Sequence, residues 1–340
     1  MTTASSTSTE AAESARVPLS PETSQPDVTV SIVSYNTCDP LRNCLASLQA
    51  RRDEAEVSLE VVVADNSSTD DSVAMVRTQF PWVRVVETGG NIGYGRANNA
   101  GLADAVGRYF FVLNSDTIVQ PGALKVMRDF MDENPPVGCV GAQLVLSDGS
   151  TQTSCARDPG LLAVFWEQTY FDRLFPNNKI TGNYLMTDWD YKDRREVEQV
   201  CGACLFVRRE AYRQIEGFDP AYFMYFEDTD FCIRLRRAGW KIYFVPEARI
   251  DHLLGASSKG WQSRARTISA YNKSRYYYFN RYYGRLRGLT LKLIVLLGAT
   301  LRLLAWSLIA LVKPSYRDQV RLFVEVWRQT WRMSPAGELG

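Results

Sequence analysis

Three features of this 340-residue sequence could do chemistry together: an acid at a strand end, an acidic run opening a basic helix, and one imidazole. The first is Asp116, which follows the apolar stretch Phe111-Val112-Leu113 through Asn114 and Ser115. The second is Glu227-Asp228-Thr229-Asp230, and the third is His252, the only histidine in the chain. A carboxylate and an imidazole can hold a divalent cation against a diphosphate. A carboxylate left over can act as a general base. Plainer readings exist for each. Asp116 could cap the turn before Pro121, and His252 could be a satisfied core residue. The acidic run could simply complement a helix N-terminus, at about 0.5–1 kcal/mol per group. Chemistry requires that the fold bring all of them to one place.

The elements needed to do so are readable. Val28–Val33 and Leu59–Ala64 predict buried strands, followed by further strands at Val83–Glu87 and Tyr109–Leu113. Helical spacing runs from Pro40 to Gln49, again up to Phe80, and from Arg96 to Val106. Strand and helix alternating in this way imply a doubly wound, mostly parallel α/β sheet. Ligands of such sheets bind beyond the carboxyl ends of the strands. Asn36, Asp65 and Asp116 each fall just after a strand, so all three should face one crevice. Asp65 also opens the turn-rich run Asp65-Asn66-Ser67-Ser68-Thr69-Asp70, where capping alone would explain it. From about 150 to 198 the aromatics are scattered without period, which predicts a long excursion able to shape a substrate pocket. Val200–Arg208 reads as one buried strand, and Lys241–Val245 as another.

Two motifs invite and then refuse other functions. Gly90-x-x-Gly93-x-Gly95 lacks the order of a dinucleotide fingerprint and follows the third strand, not the first, which argues against a dehydrogenase. The loop after the first strand, Ser34-Tyr35-Asn36-Thr37, lacks the glycines and arginine expected of a nucleotidylyltransferase. Cys201-x-x-Cys204 has a metal or redox spacing but no second ligand pair, and its apolar flanks favour a packing role. Seven irregularly spaced cysteines with no secretory signal point to reduced thiols in the cytoplasm. Residues 1–26, rich in Ser, Thr, Ala and Pro, read as a disordered tail.

Taken together, the motifs resemble the inverting family 2 glycosyltransferases of the GT-A fold, in particular the rhamnosyltransferase-type branch that builds bacterial surface polysaccharides. The resemblance covers about 28 to 258. It rests on Val33-Ser34-Tyr35-Asn36, the Asp65–Asp70 run, and Asn91-Ile92-Gly93-Tyr94-Gly95-Arg96-Ala97-Asn98-Asn99. It continues through Leu113-Asn114-Ser115-Asp116, Gly202-Ala203-Cys204, Gly217-Phe218-Asp219, Tyr225–Asp230 and Pro246-Glu247-Ala248. The family's Asp-x-Asp metal motif begins here with Asn114, leaving Asp116 as its one carboxylate. The resemblance implies a GT-A catalytic domain at 27–258. It implies that Ser34, Tyr35, Asn36 and Asp65, with Asn91, Gly93, Arg96, Asn98, Asn114 and Ser115, cradle a nucleotide-diphosphate-sugar. Asp116 and His252 would hold Mg²⁺ or Mn²⁺ on the diphosphate. Asp228 would take the acceptor hydroxyl's proton in a single, inverting displacement. dTDP-L-rhamnose is the donor expected of this branch, with a UDP-sugar as its rival. A sugar-nucleotide-binding protein without activity is the alternative of another class, and it would have no need of Asp228.

The remainder, 259–340, reads as a basic, aromatic-rich helical extension. From Ala256 onward there are 15 Lys and Arg against 3 Asp and Glu, whereas the rest of the chain carries 24 against 35. Such a basic half suits anionic lipid or nucleic acid, and the apolar run Leu289–Val312 favours lipid. That run is long enough to span a bilayer, for which about 20 residues suffice. Lys292 and Arg302 interrupt it, and charge inside a lone span is costly. Helices lying on the cytoplasmic membrane face, close to a glycan or polyprenyl-linked acceptor, are therefore expected. Packing on the catalytic domain, or on a second copy as a homodimer, is the alternative.

Overall fold

The predicted apolar runs form strands whose ends come out level. The computed structural model describes residues 25–55, 57–253 and 260–334. The disordered tail expected at the N-terminus lies, up to residue 24, outside them, as does the expected boundary at 258/259. Strands β1 (Val28–Ser34), β2 (Leu59–Asp65), β3 (Arg84–Glu87) and β4 (Tyr109–Asn114) pair in parallel in the order β3-β2-β1-β4. Ser34 is in register with Asp65, Asp65 with Glu87, and Val33 with Asn114. Both faces of β1 are covered: Val30 and Ile32 lie in one core, while Ser31 on the other face is satisfied by Asn98. Each such fully buried aliphatic side chain contributes about 1.5–3 kcal/mol, which fixes the register and hence the line of strand ends.

Beyond β4 the sheet turns mixed. β5 (Thr117–Val119), β6 (Val137–Val145), β8 (Arg195–Glu196), β10 (Cys204–Arg208) and β11 (Lys241–His252) complete nine strands, while β7 (Cys155–Ala156) and β9 (Gln199–Val200) pair separately. β10 inserts antiparallel between β4 and β6, and β11 runs parallel to β6 and antiparallel to β5. The last pairing sets His252 opposite Thr117, beside Asp116.

Several expectations need correction. Val200–Arg208 is two strands, because Cys201-Gly202-Ala203 makes a turn closed by the Cys204 N–H on the Cys201 carbonyl at 3.2 Å. The helix expected over Arg96–Val106 runs Tyr94–Leu102. β11 passes through Pro246 on a register shift between Val245 and Arg249 and continues to His252. The aperiodic region holds three short helices, Leu161–Thr169, Phe171–Leu174 and Lys179–Leu185.

The helix Trp261–Val312 bends at Gly284, whose φ of 83° an L side chain would resist. Before the bend it packs against the α/β domain. Tyr276, Tyr278 and Phe279 are buried with Tyr222 and Phe226, and Tyr282 donates to Asp230 Oδ1 at 2.6 Å. After the bend, Leu286, Leu289, Leu293, Leu297, Leu301, Leu304 and Leu308 form one exposed stripe. The two interrupting charges do not face that stripe. Lys292 donates to the Met333 carbonyl at 2.9 Å, and Arg302 donates to Gln168 Oε1 and the Glu167 carbonyl, both at 3.0 Å. The helix Arg317–Arg332 folds back along it.

Candidate active site

At the ends of β1 and β2, backbone demand is met largely by side chains of the loops themselves. Asn36, in the left-handed region at φ 56°, accepts from the Thr69 and Asp70 N–H groups, while Asp65 Oδ2 accepts from Ser68 N–H at 2.9 Å. The other Asp65 oxygen, Oδ1, is buried without a hydrogen-bond partner. A buried acceptor without a donor costs about 1–3 kcal/mol, so this one is suited to a donor from a ligand. Tyr35 stands half exposed at the rim, and Ser34 is fully buried.

The next loop closes the same wall. Gly93, at φ 91°, leaves only 2.3 Å between a would-be Cβ and the Phe223 carbonyl, so no other residue fits. Its carbonyl accepts from Asn66 Nδ2, and Asn91 Oδ1 accepts from its N–H. Arg96 spends its Nε on the Pro220 carbonyl at 2.6 Å. Asn98 departs from expectation. It is fully buried, with its amide engaged by Ser31 Oγ and the Tyr94 carbonyl, so it ties a helix to β1 and does not reach the crevice.

Asp116 and His252 do meet, with Oδ1 and Nε2 3.3 Å apart. Gln152 Oε1 lies 2.8 Å from His252 Nδ1 and accepts a hydrogen bond from it. Nε2 faces Asp116, and Asn114 Nδ2 lies 3.5 Å from the same nitrogen. An imidazole nitrogen beside a carboxylate oxygen is a ligand pair a divalent cation can use, and a hydrogen bond to the second ring nitrogen is the usual support of a ligating histidine. Among the described residues no group of three His, Cys, Asp or Glu side chains is close enough to hold a metal alone. A divalent ion held by Asp116 and His252 would need its remaining ligands from outside these side chains.

The acidic run separates into three different environments. Asp230, fully buried, accepts from Arg234 Nε at 2.6 Å and from Tyr282, and so anchors the helix Glu227–Arg237. Asp228 accepts from the Gly202 N–H at 2.9 Å and the Thr229 N–H at 2.8 Å. Burial still raises its proton affinity above that of an ordinary carboxyl. Glu227 is buried beside it, with Oε2 unpartnered, and burial followed by repulsion from Asp228 pushes its pKa up to about 8. Tyr225 and Phe226 precede them in consecutive left-handed conformations, at φ 67° and 65°, the strain that aims this helix start at the cleft.

Asp228 lines a cleft of about 440 Å³ with Glu227, Cys201, Tyr184, Gln199 and Tyr271. The Cys201–Ala203 turn joins the two acidic centres: Gly202 N–H holds Asp228, while the Ala203 carbonyl accepts from Asn114 N–H at 3.1 Å. Tyr94 Oη donates to the Gly202 carbonyl at 2.9 Å, which ties in the glycine-rich loop. Burial and the carboxylates of Asp228, Glu227 and Asp116 push the Cys201 thiol up to about 12. All seven cysteines are unpaired thiols. Sequence reasoning named Glu227 only as part of the acidic run, and it missed this turn and Gln152. The Gly202 break in the apolar run was the available signal for the turn; nothing marked Gln152.

A family model described as glycosyltransferase like family 2 matches residues 26–276. The chain is 34% identical over 266 residues to an N-acetylglucosaminyl-diphospho-decaprenol L-rhamnosyltransferase of Mycobacterium tuberculosis, covering 73% of this chain and 82% of that protein. It is 36% identical over 124 residues to the succinoglycan biosynthesis protein ExoO of Rhizobium meliloti, covering 36% of this chain and 33% of that one. Among solved structures, the fold is similar to a mannosyltransferase of Pyrobaculum calidifontis in complex with GDP-Man and Mn²⁺. The TM-score is 0.53 at 18% identity, covering 91% of this chain and 87% of that one.

Proposed function

Because this chain belongs to glycosyltransferase family 2, we propose that it transfers L-rhamnose from dTDP-L-rhamnose, with inversion, to a hydroxyl of a polyprenyl-diphosphate-linked sugar. The rhamnosyl and lipid-linked parts of this reading are supported by the name of the mycobacterial relative. The observation that carries the chemistry is the separation of tasks across the Cys201–Ala203 turn. On one side is an imidazole and carboxylate pair suited to a cation; on the other is a cleft-lining carboxylate, Asp228, with raised proton affinity.

Asp65 Oδ1 would accept from the donor's base, with Tyr35 and Asn36 at its edge. Asp116 and His252 would hold Mg²⁺ or Mn²⁺, which when bound neutralises charge on the departing diphosphate. Asp228, held by two backbone N–H groups, orients the acceptor hydroxyl and removes its proton as the anomeric carbon is attacked from the opposite face. The raised pKa makes it a better base than an exposed carboxylate, whose pKa is about 3.9. Glu227 stays protonated near neutral pH, so no second negative charge competes with Asp228. The leucine stripe after Gly284 would rest on the cytoplasmic face of the membrane and keep the cleft near lipid-linked substrate.

The deciding experiment is a panel of nucleotide-sugars scored for acceptor-dependent nucleotide release, with and without divalent metal. Release from dTDP-L-rhamnose that requires metal and lipid-linked acceptor is expected. Preference for a UDP-sugar would reassign the donor, and no release from any donor would favour a binding protein. Glutamate at Leu293, Leu304 and Leu308 together should abolish sedimentation with anionic liposomes while preserving donor binding. Unchanged sedimentation would remove the membrane role.

A further inference from the structure

A second, separate groove of about 550 Å³ lies between the Leu161–Phe175 region and the outer half of the long helix, lined by Tyr170, Arg173, Arg302, Ala305, Trp306 and Ile309. Its walls are mostly apolar, yet two guanidinium groups converge on one ring. Arg173 lies 4.7 Å and Arg302 4.3 Å from the Tyr170 centroid. Among the described residues no carboxylate pairs with either of them: Arg302 is held by the Gln168 amide and the Glu167 carbonyl. Tyr170 itself sits in the left-handed region at φ 62°, between two helices that meet on it. Two unneutralised cations beside an apolar trough match a ligand that is anionic at one end and hydrocarbon at the other.

A chain of contacts runs from the groove to the wall of the catalytic cleft. Tyr271, which lines that cleft, lies under the Arg275 guanidinium at 5.1 Å, and Arg275 pairs with Glu167 Oε2 at 2.9 Å. The Glu167 carbonyl in turn accepts from Arg302. Three contacts thus separate the wall of the Asp228 cleft from the arginine pair. In the other direction the groove opens beside Leu301, on the exposed leucine stripe, and beside Ile309, and Phe171, Leu174 and Phe175 are exposed on the neighbouring segment.

We propose that this groove is the seat of the acceptor's prenyl diphosphate, with the diphosphate on Arg173 and Arg302 and the first prenyl units along Ala305, Trp306 and Ile309. The assignment rests on the acceptor reading above and adds the residues that would recognise the lipid end. A sugar attached to that diphosphate would point back toward Asp228, and the rest of the chain would leave directly into the lipid phase.

The test is calorimetry in detergent micelles with farnesyl diphosphate, farnesyl monophosphate and dodecylphosphocholine as probes, using the full-length protein. The wild type should prefer the diphosphate over the phosphocholine by about tenfold or more, since charge-assisted contacts to two arginines act on it alone. Arg173→Gln, at an exposed position, should erase most of that preference. Ala305→Trp should fill the trough and weaken both farnesyl ligands equally. Equal affinity for diphosphate and phosphocholine, or unchanged binding in both variants, would overturn the proposal and leave the groove a membrane contact. These readouts involve no sugar transfer. A protein that binds farnesyl diphosphate as expected but never glycosylates a lipid-linked acceptor would sink the acceptor reading alone. Transfer to such an acceptor with the same KM in wild type and Arg173→Gln would sink the groove alone.

Discussion

The Asp116–His252 pair and the Glu227–Asp228 pair are both made of strand-end or helix-start acids, yet their surroundings differ. Asp116 retains 17% side-chain exposure and looks across 3.3 Å at an imidazole whose far nitrogen is held by Gln152. Glu227 and Asp228 lie adjacent at a buried helix start, where desolvation raises both proton affinities. The first environment favours a cation and the second favours a proton. The same residue type is thus divided between charge neutralisation and base chemistry by solvent access and hydrogen-bond partners.

The largest effect expected from breaking this division is at Asp228. Asp228→Asn should lower kcat by about 10²–10⁴-fold, the usual contribution of a positioned base, with donor affinity retained. A kcat within a few-fold of wild type would transfer the base role elsewhere. The wild-type acid limb in kcat/KM should also lie above the pH of an ordinary carboxylate, because Asp228 works ionised and its pKa is raised.

On the metal side, Asp116→Ala should remove the divalent dependence of donor binding in calorimetry, with the fold intact because a partly exposed strand end leaves no core cavity. His252→Ala should weaken it less, since the diphosphate and Asp116 remain. A sharp fall in melting temperature with a normal metal response would instead make His252 a core residue. Gln152→Leu should cost a further, smaller share, about 10-fold in apparent metal affinity, the lower end of what an outer-shell partner contributes. Unchanged affinity would mean that the Nδ1 contact does not set the tautomer.

The smallest effect separates stability from activity. Glu227 has a folded pKa of about 8 against an ordinary value of 4.5, so the folded protein holds a proton that the unfolded chain releases. Its contribution is intact below about pH 4.5 and is lost as pH rises through about 8. Glu227→Gln should therefore flatten the decline in melting temperature between those values, by a few degrees for a difference on the order of 1–3 kcal/mol. Parallel melting curves across that window would show that Glu227 is ionised when folded.

Local order decided much of this protein before any tertiary contact. The alternating strand and helix runs required a mostly parallel sheet with Asn36, Asp65 and Asp116 just after its strands, because period and burial leave one register. The resemblance carried Asp116, Asp228 and His252 as a set. What the sequence could not contain was long-range placement. Gln152 reaches His252 across 100 residues, and Gly202 meets Asp228 across 26, neither with a local pattern. Asn98 looked like a crevice residue until packing against Ser31 buried it. Lys292 and Arg302 looked like breaks in an apolar helix until carbonyls of the Met333 and Glu167 regions drew them inward. A sequence fixes which groups are charged and how often they recur, but partner and solvent access depend on contacts between distant segments, and these decide what each charge does.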